Sequence, residues 1–233
     1  MFLLFLYVVY YKVVTKSSKS ANLAYSNPLL KTFQKMNTGG MKKIALFLCA
    51  FVGLAVASQL EIYEDRQILL LQRTSDPKEI AVQLRAIGVR FEQWEAIWPL
   101  TPSSGEEEIQ EAYRADIERL KEENGFQSVD VLRMSPDRLQ PQALRQKFLN
   151  EHTHDEPEVR FFVEGSGLFF LHVDGKVYSV LCEQGDLISI PENYCHWFDM
   201  GENPYFTAIR FFTRTDGWIA YFTGDPISYK FAH

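Results

Sequence analysis

The chain has 233 residues, of which 46% are hydrophobic and 23% charged, as in a globular protein with one sizeable core. Its formal net charge of -6, without any basic stripe, argues against a nucleic-acid partner. Three cysteines are too few for a disulfide scaffold, so we expect free, buried thiols.

The first 58 residues differ from the rest and are predicted as a leader with two apolar runs. Residues 41–57 have the basic start, apolar run and small-residue end of a secretory signal peptide. The other apolar run spans residues 1–14, and both runs are shorter than the ~20 residues of a membrane span. Three interpretations stay open: secretion after translation from Met41, a retained weak anchor, or a gene-model artefact.

The next segment is predicted to hold a strand over residues 60–63 and two helices. Asp76 followed by Pro77 is typical of a helix start, and Gly88 is typical of the end of that helix. A longer helix is predicted over residues 104–124. Apolar side chains recur along one of its faces, and acidic residues suit its positive N-terminus.

From residue 148 onward, short alternating runs replace the helical pattern. Asp174-Gly175 is a strong signal for a tight hairpin. Many short strands without helices between them predict a mainly β fold, an antiparallel sandwich or barrel. The predicted strands span residues 161–164, 168–173, 176–182, 187–190, 196–200 and 205–213.

Four of the five histidines lie between residues 152 and 196, and three of them have the spacing of metal ligands. On a strand, His152 and His154 project from one face, so one ion can bind both. Glu158 follows a bend-prone Asp-Glu-Pro segment, and His196 would complete the set from another strand. Nitrogen and oxygen ligands without thiolate favour an ion that keeps open positions for chemistry over structural zinc.

This pattern resembles the two metal-binding motifs of the cupin superfamily, whose fold is a double-stranded β-helix, or jelly-roll barrel. The motifs are His152-x-His154-x3-Glu158-x6-Gly165 and Gly185-x5-Pro191-x4-His196. Within the superfamily, segments 151–154, 158–161 and 194–199 resemble acireductone dioxygenase. The resemblance covers about 59–233, and it implies one cupin domain with a few N-terminal helices packed outside the barrel.

The resemblance implies a metal-dependent dioxygenase of methionine salvage that cleaves acireductone, 1,2-dihydroxy-3-keto-5-methylthiopentene, with O2. One Fe(II) per chain would give 4-methylthio-2-oxobutanoate and formate. Ni(II) in the same site would give 3-methylthiopropanoate, formate and carbon monoxide. The resemblance also implies a cytoplasmic monomer, associated with a membrane only if the leader is retained.

Two arginines are candidates for binding the substrate anion. Arg160 has the same strand parity as Glu158, so its guanidinium should enter the metal cavity. Arg210 is a candidate through its resemblance to the second active-site arginine of the family. Four aromatic residues are candidates for the apolar wall around the substrate tail: Phe148, Phe162, Phe198 and Trp218.

His172 is absent from the motifs, and we expect an ordinary hydrogen-bonded strand histidine there. Asp155 and Glu156 are expected in a solvated loop. Two alternative functions use the same four metal ligands. One is a secreted germin-type manganese cupin, an oxalate oxidase or superoxide dismutase, and the other is a non-enzymatic cupin that binds a small ligand.

Overall fold

The computed structural model describes residues 57–137, 141–214 and 217–231, so the predicted leader lies outside it apart from residues 57 and 58. The α-helices are α1 (Pro77–Arg85), α2 (Glu106–Ala112), α3 (Arg114–Asn124) and α4 (Pro141–Phe148). The strands are β1 (Gln59–Glu64), β2 (Leu69–Thr74), β3 (Arg90–Gln93), β4 (Ser128–Met134), β5 (His152–Thr153), β6 (Glu158–Gly165), β7 (Gly167–Val173), β8 (Lys176–Cys182), β9 (Asp186–Ile190), β10 (Cys195–Asp199), β11 (Phe206–Phe212) and β12 (Tyr221–Phe222). A 3-10 helix, Pro226–Lys230, follows.

The strands form two antiparallel sheets, which confirms the predicted mainly β fold. One sheet has seven strands in the order β12-β5-β10-β7-β8-β1-β2, and the other has five in the order β3-β9-β6-β11-β4. Strands distant in sequence are therefore neighbours, as β5 is of both β10 and β12. Within the described ranges, no helix is long and apolar enough to cross a membrane.

Strand β6 is buried on both faces, and its alternation positions the site. Val159, Phe161 and Val163 pack in one cluster with apolar residues of α2 and α3. Phe162 faces the other way, into the core between the sheets, where it packs with residues of β7 and β8. Because strand side chains alternate, Glu158 and Arg160 share the face of Phe162.

Most predicted elements are present, but the long helix is broken. The prediction of one helix over residues 104–124 was wrong, because the backbone at Tyr113 leaves the helical region at φ -116° and ψ 18°. The Tyr113 ring packs edge-on against Phe161, with ring centroids 4.6 Å apart. The Asp174-Gly175 hairpin is confirmed, since both residues have positive φ, 52° and 70°, as a type I′ turn requires.

Candidate metal centre

The four predicted ligands converge between the two sheets. His152 and His196 are register partners on β5 and β10, so their side chains start from adjacent points of one sheet. His154 follows β5, and Glu158 begins β6 in the facing sheet. The ligand atoms all lie within 4.8 Å of one another, and none of the four residues is more than 5% exposed.

Backbone carbonyls fix the orientation of all three imidazoles. His152 Nδ1 lies 2.7 Å from the Asn150 carbonyl, and His196 Nδ1 lies 2.8 Å from the Tyr194 carbonyl. His154 Nδ1 lies 2.7 Å from a more distant carbonyl, that of Ile219. A carbonyl oxygen only accepts, so each Nδ1 carries a proton, and in the neutral imidazole Nε2 then has the lone pair that a metal ion binds.

The carboxylate of Glu158 joins this cluster in its ionised form. Its Oε2 lies 3.0 Å from His154 Nε2 and 3.1 Å from His196 Nε2. Burial opposes ionisation, but the positive charge of Arg160 and the two histidine contacts hold the pKa of Glu158 well below its usual range. Burial and the neighbouring His196 lower the pKa of His152 to about 4, so this imidazole is neutral at pH 7.

These residues fit a divalent metal ion. Ligand atoms about 2.1 Å from one ion lie at most about 4.2 Å apart, so the cluster needs only slight contraction. Glu158 Oε2 faces the Nε2 atoms of His154 and His196, whereas Oε1 is paired with Arg160, so Oε2 is the oxygen placed to bind the ion. Three imidazoles and one carboxylate leave two positions of an octahedral ion open for other ligands.

Arg160 lies beside the ligands, as its strand parity predicts. Its Nε is 2.8 Å from Glu158 Oε1, and the side chain is 5% exposed. The guanidinium carbon lies 4.6 Å from the Phe198 ring centroid and 5.3 Å from that of Trp218. Its Nη1 is buried without a hydrogen-bond partner in the described part of the chain, which leaves a charged donor for a ligand anion.

Arg210 faces the same cavity but is paired differently. Its Nε and Nη2 donate to the two carboxylate oxygens of Asp130 at 2.8 and 2.6 Å, a bidentate ion pair. The guanidinium also stacks near the rings of Phe212 and Trp218. Asp130 was not predicted, because nothing in the sequence of β4 distinguishes it from a surface acid.

The cavity beside the metal ligands has a volume of about 460 Å³. Phe148, Phe198 and Trp218 line it, whereas Phe162 does not. The Phe162 ring is fully buried in the core below the cavity, where it contacts the rings of Phe169 and Phe206. Further apolar lining that the sequence did not suggest comes from Val129, Leu132, Phe212, Ala220 and Phe222.

The loop between His154 and Glu158 is more ordered than a solvated loop. The expectation holds for Asp155, which forms an exposed ion pair with Arg214. It is wrong for Glu156, which is 2% exposed and accepts hydrogen bonds from the backbone and hydroxyl groups of Thr213. The adjacent Pro157 carbonyl accepts from Trp218 Nε1 at 3.2 Å, so the loop is tied to the cavity wall.

Two facing antiparallel sheets with a three-histidine, one-glutamate cluster between them define a metal-binding cupin, the double-stranded β-helix expected from the motifs. Residues 59–220 match the model of the ARD/ARD' family. The chain therefore belongs to the ARD/ARD' family and is a metal-dependent dioxygenase.

Individual relatives agree with the family assignment. The chain is 54% identical over 175 residues to an acireductone dioxygenase of Stenotrophomonas maltophilia (strain K279a), covering 75% of this chain and 95% of that protein. It is 53% identical over 175 residues to one of Acidiphilium cryptum (strain JF-5), covering 75% and 97%.

A solved structure supports the fold as well. The acireductone dioxygenase from Bacillus anthracis with cadmium ion in its active centre is 30% identical to this chain and aligns with a TM-score of 0.63. The alignment covers 71% of this chain and 98% of that one. This likeness confirms the predicted cupin fold, with its helices packed outside the barrel.

Proposed function

We propose that this protein is an acireductone dioxygenase of methionine salvage, cleaving 1,2-dihydroxy-3-keto-5-methylthiopentene with O2. The observation that carries the proposal is a His3Glu cluster that shares one cavity with the buried Arg160, whose Nη1 has no hydrogen-bond partner among the described residues. An enediol that reacts as an anion needs both a cation and a charged hydrogen-bond donor. The names of the relatives, which are acireductone dioxygenases, support acireductone as that enediol.

When bound, a divalent cation in this site supplies Lewis-acid stabilisation of the enediolate, the electron-rich form that O2 attacks. Arg160 would hold an enolate oxygen through Nη1, and its stacking on Phe198 fixes the direction of that hydrogen bond. Arg210, already oriented by Asp130, would contact a more exposed part of the substrate. Phe148 and Trp218 would cover the tail and keep water from the reacting carbons.

Fe(II), one per chain, is the proposed cofactor for the route to 4-methylthio-2-oxobutanoate and formate. Ni(II) is the proposed alternative, with 3-methylthiopropanoate, formate and carbon monoxide as products. Imidazole and carboxylate ligands accept both ions, so metal supply decides which one is bound. A cytoplasmic location and a monomeric state remain predictions, and an N-terminus at Ser58 in the mature protein would contradict the first.

Reconstitution tests the proposal directly. Metal-free protein loaded with Fe(II) without oxygen, then given acireductone and O2, should consume both and release the keto acid. The Ni(II)-loaded form should release carbon monoxide. Absence of turnover by fully loaded protein, or oxalate turnover by a manganese form in place of acireductone turnover, would contradict the proposal.

A ligand variant tests the residue assignment. His196→Ala should lose bound metal and activity together, because the three ligands that remain would bind the ion weakly. Arg114→Met provides the control, since Arg114 pairs with Glu111 on an exposed helix surface. A His196→Ala protein with its full metal content would refute the assignment of that ligand.

A further inference from the structure

Glu151 is a buried carboxylate directly before the ligand His152, and both of its oxygens are engaged. It is 3% exposed. Oε1 lies 2.7 Å from His172 Nδ1, and Oε2 accepts from the Thr223 hydroxyl at 2.5 Å. A buried charge is tolerated only when its hydrogen bonds are made, so these contacts fix where Glu151 lies.

His172 is held between two carboxylates, which makes it more than an ordinary strand histidine. Its second ring nitrogen, Nε2, lies 3.2 Å from Asp65 Oδ2. Both carboxylates only accept, so donation from both ring nitrogens requires the imidazolium form. His172 lies on β7 opposite Cys195 of β10. Through Asp65 it contacts the turn between β1 and β2, and through Glu151 it contacts the residue that precedes β5.

The third partner, Thr223, ends a segment that covers the metal ligands. We call residues 217–223 the strap. Its Ile219 carbonyl accepts from His154 Nδ1, and its β12 residues Tyr221 and Phe222 pair with β5. The Phe222 ring lies 5.8 Å from the His152 ring, and the strap forms one wall of the cavity.

The end of the strap is fastened to Glu151 twice. The Thr223 backbone N–H donates to the Glu151 carbonyl at 3.1 Å, and the hydroxyl donates to the carboxylate. The strand pair between β12 and β5 is only two residues long, so it has little stability of its own. The contacts of Thr223 with Glu151 and of Trp218 with Pro157 therefore add to the hold on the strap.

We propose that Thr223, Glu151 and His172 form a latch that holds the strap on the metal-binding segment and thereby sets the metal affinity of the site. The proposal rests on the metal site of the proposed function. The latch residues contact neither the ligand atoms nor the cavity, so they are positioning residues. When the strap lifts, the Ile219 carbonyl leaves His154, and the imidazole loses its orientation toward the ion.

A matched pair of variants at position 223 tests the latch. Thr223→Val keeps the shape and removes the hydroxyl, whereas Thr223→Ser keeps the hydroxyl. The probe is Ni(II), with its affinity measured by competition against a chromogenic chelator. Thr223→Val should weaken Ni(II) binding about tenfold, the lower end of the roughly 10–100-fold loss that follows when a residue that orients a metal ligand is removed. The Ni(II) affinity of Thr223→Ser should stay within about twofold of wild type.

Thr74→Val is the control. Thr74 lies on β2, which is at the opposite edge of the same sheet from β12, and its hydroxyl donates to the exposed Glu79 of α1. The Ni(II) affinity of this variant should not change. Thr223→Val should also be cleaved faster by chymotrypsin at Tyr221 and Phe222. A Thr223→Val protein with a lower unfolding midpoint, wild-type Ni(II) affinity and unchanged cleavage would overturn the proposal.

A second variant keeps the test decisive if Thr223→Val does not fold. His172→Gln, which cannot bridge Glu151 and Asp65 as a cation, should weaken Ni(II) binding in the same direction. Unchanged Ni(II) affinity in His172→Gln would overturn the proposal. The Ni(II) affinity measurements use no acireductone. A wild-type protein that binds Ni(II) but does not turn over acireductone would therefore refute the proposed function and leave the test of the latch valid.

Discussion

Arg160 on β6 and Arg210 on β11 are direct cross-strand partners, so two guanidinium groups face one cavity from adjacent strands. Like charges in opposed positions destabilise a sheet. Each arginine here has its own carboxylate, Glu158 for Arg160 and Asp130 for Arg210. The arrangement keeps two cationic groups beside the metal ligands at a limited cost in stability.

The two arginines should differ in their importance for catalysis. The Arg160 side chain is 5% exposed, whereas that of Arg210 is 25% exposed, with two nitrogens held by Asp130. A charged hydrogen bond in a buried site contributes about 1.5–3 kcal/mol, and solvent weakens an exposed one. Arg160→Met should therefore lower kcat/KM for acireductone by about 100-fold, and Arg210→Met by less than about tenfold.

Steady-state kinetics of metal-loaded variants check this ranking. Metal content must be measured in each variant, because Arg160 also contacts the ligand Glu158. Arg114→Met, on the exposed surface of α3, should keep wild-type kinetics. A larger loss in Arg210→Met than in Arg160→Met would contradict the roles assigned from burial.

Metal removal should destabilise the folded domain. An ion that binds only the native state at 100 times its Kd adds about 2.7 kcal/mol of stability. For a domain of this size, about 1 kcal/mol shifts the unfolding midpoint by about 2–4 °C. Calorimetry with and without a chelator should therefore show a midpoint lower by about 5–10 °C in the metal-free protein. In His196→Ala the chelator should have no effect, and an equal shift there would place the ion elsewhere.

The His3Glu cluster could be anticipated from the sequence, because the spacing of His152, His154 and Glu158 is local and His196 falls in a motif that resembles the second cupin motif. The two-residue period of a strand was enough to place the side chains of His152 and His154 on one face. Arg160 was placed beside Glu158 because the two residues are two positions apart on a strand. Asp130 could not be predicted in this way. It reaches Arg210 because β4 pairs with β11, and the two residues are 80 positions apart in the chain.

The same limit applies to the burial of Phe162 and to the strap. Strand alternation places Phe162 on the same face of β6 as Glu158 and Arg160. Phe162 lies further along the strand, however, and its ring is buried in the core between the sheets instead of lining the cavity. The strap strand β12 is two residues long and has no periodicity to detect. The Ile219 carbonyl, a backbone atom, has no sequence signal at all, although it orients a metal ligand.

The stability contribution of His172 should depend on pH in a defined direction. Burial lowers its pKa, but hydrogen bonds and charge from Glu151 and Asp65 outweigh burial and raise the pKa in the folded protein. On its other side, Cys195 is the register partner from β10. A group with a raised folded pKa stabilises fully below its unfolded value, about 6.5, and this stabilisation is lost as pH rises through the folded pKa.

Urea unfolding of metal-free wild type and His172→Gln measures this effect. The wild type should be more stable than the variant at pH 6, and the difference should shrink as the pH is raised toward 9. The other histidines titrate in both proteins and cancel in the comparison. A difference that stayed constant or grew with pH would show that His172 is not held as a cation.

Gly167 at the start of β7 should be required for the shape of the cavity. A Cβ at this position would lie 2.4 Å from two ring atoms of Phe198 and 3.1 Å from the ring of Phe162. Both rings are buried, but only Phe198 lines the cavity, so we expect the Phe198 ring, which stacks on Arg160, to shift toward the open space. Gly167→Ala should thus destabilise the domain by about 1–3 kcal/mol, the usual cost of overpacking, and raise KM several-fold.

Denaturant unfolding and steady-state kinetics measure the two effects separately. Gly105→Ala is the matched control, because a Cβ at Gly105 meets open space and should leave KM unchanged. Combining Gly167→Ala with Phe198→Leu, which makes room for the added methyl group, should recover part of the lost stability because the two residues are in contact. A Gly167→Ala protein with wild-type stability and KM would show that the Phe198 ring is not held in place by this contact.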